Sequence, residues 1–101
     1  MATATLNGTV IAEAPESDII RIEGNIYFPP SSVKQEYLTT SPTPYTCPWK
    51  GECQYFTVTA DGQALADRAW SYPNPYESGI AKVGKDFSDY VAFWKEVQVS
   101  G

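Results

Sequence analysis

Cys47-Pro48-Trp49-Lys50-Gly51 is the stretch in which chemistry-bearing side chains stand closest together. A cation beside a thiol lowers its pKa and enriches the thiolate, which is the reactive form. Lys50 is the cation available to Cys47, and Trp49 can shield the pair from water. On a functional reading the segment is a pocket lip carrying an electrophile-facing thiol or an anion-holding lysine. On a structural reading it is a buried Cys before a proline turn, with Lys50 in solvent, since a free Cys usually behaves as a small core residue. The residue types leave both readings open.

A second constellation is aromatic. Trp49, Trp70 and Trp94, with Tyr27, Tyr55 and Tyr72, belong to a set of 3 Trp, 7 Tyr and 4 Phe in 101 residues, large for one small core. Such rings fill core volume, or they wall a cavity for a flat or cationic guest. Twelve acids against seven bases, a net charge of −5, make a cationic guest the easier one to hold. Glu23 and Tyr27 are the polar companions expected at the cleft, although Glu23, just before Gly24-Asn25, also fits a solvated turn. Asp67-Arg68 reads as a local surface ion pair, worth ~0–1 kcal/mol.

Composition excludes several classes. The chain has no His, which removes Ser-His and Cys-His catalysis and imidazole metal ligation. Its two Cys, at 47 and 53, match neither the CxxC redox spacing nor a zinc half-site, and four-thiolate zinc is out of reach. No metal or cofactor is expected. The acidic balance, with no basic patch interleaved with aromatics, argues against nucleic acid. No apolar run approaches the ~20 residues that span a bilayer, and MATATLNGTV lacks the basic start and apolar stretch of a secretory signal. The expectation is a soluble cytoplasmic protein with reduced thiols.

The elements that must position these residues are short and densely punctuated, as in a β-rich domain. Asn7-Gly8 suits a two-residue hairpin turn between segments 3–6 and 9–12. Segment 19–23 puts Ile20 and Ile22 on one face; Gly24-Asn25 turns the chain, and 26–28 returns until Pro29-Pro30 stops it. Ser32-Val33-Lys34-Gln35 fits a capping box opening a short helix over 33–38. Ser41-Pro42-Thr43-Pro44 reads as a loop, because proline lacks the donor a helix or strand needs. Residues 53–60 alternate as a strand, Asp61-Gly62 closes a second hairpin, and 63–66 and 69–72 continue the sheet with a break at Asp67-Arg68. A helical turn over 76–83 ends near Gly84, and 90–94 and 97–99 are strand-like.

Five segments, taken together and in order, resemble the DUF427 family, small domains without an established biochemical role. They are Asn7-Gly8-Thr9-Val10-Ile11-Ala12-Glu13, Glu23-Gly24-Asn25-Ile26-Tyr27-Phe28-Pro29, Cys47-Pro48-Trp49-Lys50-Gly51, Ala69-Trp70-Ser71-Tyr72-Pro73 and Tyr90-Val91-Ala92-Phe93-Trp94. The resemblance implies a β-rich, tent-like fold in which two sheets meet at an angle. A nucleotidyltransferase label also travels with the family. That chemistry wants a Gly-Ser turn and clustered carboxylates holding Mg²⁺ against phosphate. The nearest carboxylate pair here is Asp86 and Asp89, with no Gly-Ser before it.

The reading is therefore one domain over 1–101, mainly β and α+β at most, with small antiparallel sheets and one or two short helices. Its expected function is to bind a small molecule in an aromatic-lined cleft built from Glu23, Tyr27, Cys47, Trp49, Lys50, Trp70 and Tyr72. Whether a reaction follows is left open. The alternative is an interaction or assembly module that uses exposed aromatics as anchors. A nucleotidyltransferase-like enzyme stands third.

Overall fold

Asn7 and Gly8 take φ of 50° and 85°, the mirror-image turn whose twist matches its flanking strands. In the computed structural model, which describes residues 1–101, they join β1 (Ala2–Leu6) to β2 (Thr9–Ala14). The next hairpin pairs β3 (Ile20–Ile22) with β4 (Asn25–Tyr27). Its turn is Glu23-Gly24, at φ 55° and 81°, one residue earlier than the expected Gly24-Asn25. Asn25 is drawn into the strand because it pairs with Ile22, and that places Glu23 itself in the turn.

The proposed helix over 33–38 does not form. Two single 3₁₀ turns, Pro30–Ser32 and Gln35–Tyr37, replace it. Between them Val33 bridges Ala12, and Lys34 N donates to Ile11 O at 2.8 Å. A six-residue helix has little stability of its own, so the free edge of β2 captures its backbone. Ser32 Oγ donates to Pro29 O at 2.7 Å instead of capping Gln35.

Ser41–Pro44 is likewise not a loop. It lies inside β5 (Leu38–Cys47), which pairs with β6 (Gly51–Ala60) on both sides of a register shift between Thr40 and Pro44. Proline is tolerated there because β5 is the edge of its sheet and the shift relieves the missing donor. Asp61-Gly62, at φ 52° and 76°, then leads into β7 (Gln63–Ser71). The break expected at Asp67-Arg68 is a bulge within one continuous strand, with Asp67 at φ 60°. Arg68 pairs with Glu96 and not with its neighbour, while Asp67 Oδ2 accepts from Thr43 Oγ1 at 2.7 Å.

The chain closes with α1 (Glu77–Val83), β8 (Val91–Phe93) and β9 (Gln98–Ser100). Gly84, at φ 87°, ends α1 by donating to Ile80 O. The sheets are β2-β1-β9, β3-β4 and β5-β6-β7-β8, all antiparallel. The fold is thus mainly β, with one α-helix and no closed barrel.

Two cores follow from the strand period of two. Phe28, Ala69, Val91 and Phe93 point into one, with Ala2, Ala4, Leu6 and Ile11. Their chain neighbours Tyr27, Trp70 and Ala92 point into the other, with Ile20, Ile22, Cys47, Cys53, Tyr72 and Phe87. Adjacent residues of β7 and β8, and the last residue of β4 with Phe28 just beyond it, thereby serve both faces, and Phe28 and Val91 exchange hydrogen bonds of 2.8 and 2.9 Å.

Candidate functional site

The Pro48-Trp49-Lys50 turn connects β5 to β6, and α1 packs directly against it. A Cβ on Gly79 would lie 2.6 Å from Trp49 O, so only glycine permits this approach. The turn is pressed toward the β3–β4 hairpin, where Lys50 Nζ donates to Glu23 Oε1. The Lys50 side chain is 7 % exposed and that of Glu23 54 %. The lysine was expected to be either at a pocket lip or in solvent; it is buried, with its charge carried to the surface by its partner.

Rings complete the ammonium's surroundings. Lys50 Nζ lies 5.1 Å from the Trp49 ring centroid and 5.2 Å from that of Tyr72, within cation–π reach. Burial pulls the Lys50 ammonium down, but its hydrogen bond to the Glu23 carboxylate outweighs this and holds the group above the ordinary lysine value. The hydrogen bond from Lys50 keeps Glu23 below the usual carboxylate range, against desolvation acting the other way. Burial pushes the Tyr27 and Tyr72 hydroxyls up, so both remain protonated.

On the buried side of this pair is a hollow of about 180 Å³, lined by Asn25, Tyr27, Tyr45, Lys50, Tyr55, Trp70, Tyr72 and Trp94. Lys50 is its one charged lining residue. Trp70 Nε1 donates to Tyr27 Oη at 2.9 Å, and the two rings meet edge to face at 6.2 Å. Trp94 stands edge-on to Trp70 at 5.4 Å, and its Nε1 donates to Asp67 O at 2.7 Å. The β7 bulge therefore sets the indole that forms one side of the mouth.

The expected site is divided. Tyr27, Lys50, Trp70 and Tyr72 come together around this hollow. Glu23 and Trp49 line a different one of about 330 Å³, with Arg21, Ile22, Lys82 and Val83, and Lys82 Nζ lies 4.5 Å from the Trp49 ring centroid. Cys47 lines neither; it is buried at 5 % exposure in the second core. Cys53 is also a free buried thiol, pushed up to about 11 by burial.

Asn25, Tyr45, Tyr55 and Trp94 are lining residues that the sequence reading left out of the site. Tyr55 and Trp94 were visible in the aromatic set, and Asn25 was assigned to a turn. Tyr45 follows a segment read as a loop, and Trp94 is held at the site by its hydrogen bond to Asp67 in the bulge.

No three His, Cys, Asp or Glu side chains converge where a metal ion could sit. Asp86, half of the carboxylate pair nearest to a nucleotidyltransferase pattern, accepts from Ser88 N at 2.9 Å as a turn residue. These donors do not fit a divalent ion that holds phosphate. No helix is long and apolar enough to cross a membrane.

No curated protein matches the chain. The family model for the domain of unknown function DUF427 matches residues 2–100. Covering the strands, the Lys50–Glu23 pair and every lining residue of both hollows, that match makes the chain a member of the DUF427 family.

Proposed function

We propose that the protein is a small-molecule-binding domain whose ligand enters the hollow between Tyr45, Trp94 and Lys50. The observation that carries this reading is Lys50 itself. A lysine side chain buried to 7 % exposure costs desolvation that apolar packing would avoid, and here it borders a concave, ring-walled space. Concavity with a few convergent polar groups is the usual form of a ligand site. The walls are stiff: Tyr72 is followed by Pro73, and the Trp70–Tyr27 hydrogen bond locks two of the rings. Stiff walls reduce the ordering that binding would require.

An assembly module would instead present a flat apolar face of several hundred Å². The exposed large apolar side chains are Met1, Tyr45, Tyr76 and Trp94, and two of these belong to the hollow. The buried free thiols Cys47 and Cys53 support a reducing, cytoplasmic setting.

Indole N–H signals of the ¹⁵N-labelled protein test the reading. Trp70 and Trp94 line the hollow, whereas Trp49 lines the other one and meets the first only through Lys50. A screen of single-ring compounds should move the first two signals more than the third. A screen that moves none, or all three equally, would remove the site.

A further inference from the structure

The occupant's chemical class follows from three properties of the hollow, and the inference rests on the binding reading above. Size comes first. A dry cavity of ~150 Å³ holds one benzene, and drug-sized ligands need ~300–1,000 Å³. At about 180 Å³, and open to solvent beside Tyr45 and Trp94, this space seats a single ring.

Charge comes second. Lys50 is the one charged residue in the lining, and Glu23 already balances it from outside. A carboxylate ligand would set two negative charges on one ammonium, leaving a net charge beside a side chain that is only 7 % exposed. A cationic ligand would meet the ammonium with no acid in the lining to offset it. The balanced pair selects an uncharged guest, contrary to the cation that overall composition suggested.

Hydrogen-bond inventory comes third. An ammonium has three donors, and the side-chain hydrogen bond of Lys50 to Glu23 uses one. Tyr27 is fully buried, and its oxygen is already occupied by the Trp70 N–H, so it is not among the groups that meet a ligand. Asn25 adds a carboxamide, donor and acceptor together. A plain hydrocarbon ring would leave the remaining ammonium donors only the Trp49 and Tyr72 ring faces as partners. A ring carbonyl meets those donors, and an adjacent ring N–H matches the carboxamide oxygen.

We propose that the site binds neutral single-ring cyclic amides, with the ring resting against the surface that Tyr55, Trp70 and Trp94 form together and the carbonyl oxygen accepting from Lys50 Nζ.

The test titrates the full ¹⁵N-labelled chain with 2-pyridone, benzoate and benzylammonium, three rings of similar size and different charge. 2-Pyridone should shift the Trp70 and Trp94 indole signals more than that of Trp49 and bind at least tenfold more tightly than either ion. Glu23→Gln keeps an acceptor for Lys50 but removes the balancing charge, so the preference for 2-pyridone over benzoate should shrink at least tenfold. Benzoate or benzylammonium binding the wild-type chain as tightly as 2-pyridone would overturn the ligand class and leave the pocket standing. No response from Trp70 and Trp94 to any probe would defeat both. A Glu23→Gln protein with unchanged preference would refute the charge argument, and the wild-type comparison decides the class even if that variant fails to fold.

Discussion

Glu23 and Lys50, 27 positions apart, form an ion pair that is the partition between two hollows. One partner is half in water and the other almost wholly enclosed. Removing either should therefore have unequal consequences. Glu23→Ala strands a buried ammonium and should cost roughly 1–3 kcal/mol, less than the ~3–5 for a fully buried pair because water reaches the carboxylate side. Lys50→Met leaves a half-exposed carboxylate over an apolar isostere and should change stability by no more than about 1 kcal/mol. Urea midpoints of the two variants check the order.

The pair also sets a pH window. The Glu23 carboxyl is lowered on folding, so its contribution is present above the unfolded value near ~4.3 and is lost as pH falls through the folded value. The Lys50 ammonium is raised, so its contribution is present below ~10.4 and is lost as pH climbs through the folded value. Stability from this pair should be level between those limits. Asp67, Asp86 and Glu96 are also lowered by their hydrogen bonds, so acid loss alone does not isolate Glu23. The measurement is a difference: Glu23→Gln should lose less stability than wild type between about pH 5 and pH 3.

Gly79→Ala should destabilise, although alanine is the better helix former by ~1 kcal/mol. The new Cβ would meet the Trp49 carbonyl oxygen at 2.6 Å, a backbone atom with no rotamer to escape into. Overpacking of this kind costs about 1–3 kcal/mol. A Tm above wild type would mean that α1 does not rest on the Cys47–Gly51 turn.

Trp70→Phe and Tyr27→Phe should not be additive. Each single change leaves one buried polar group without its partner, at a cost of about 1–3 kcal/mol. The double variant removes both groups, so its loss should fall short of the sum by roughly 0.5–3 kcal/mol in a double-mutant cycle.

Local chemistry was the legible part of this fold. Asn7-Gly8 and Asp61-Gly62 form the expected turns because the positive φ values they need are supplied within two residues. Ile20 and Ile22 share a buried face because strand alternation is equally local. The failures depend on distant partners. The 33–38 helix lost to a bridge from Ala12, and the proline-bearing 41–44 segment became strand because β6 lies beside it. In the site, Tyr27, Lys50, Trp70 and Tyr72 line one hollow. Their separation from Trp49 and Glu23 depends on Gly79 seating α1 against the turn, and on Glu23 occupying the hairpin turn itself. The first relationship has no signature in the local sequence, whereas Glu23 beside Gly24 already fits a turn.

The thiols give the last prediction. Cys53 is 7 % exposed, and burial pushes its thiol up to about 11. At pH 8 only about one molecule in a thousand would carry the thiolate, which is the form that attacks a disulfide reagent. Cys47 is buried in the same apolar cluster, with the Lys50 ammonium engaged by Glu23. Both cysteines should therefore resist Ellman's reagent in native buffer and react together on unfolding in urea. The labelling rate in low denaturant should follow the opening equilibrium, so a destabilising change such as Glu23→Ala should speed it tenfold for about every 1.4 kcal/mol lost. Fast stoichiometric labelling of Cys47 in the native protein would show a thiol open to solvent and activated, which returns Cys47 to the list of candidate nucleophiles.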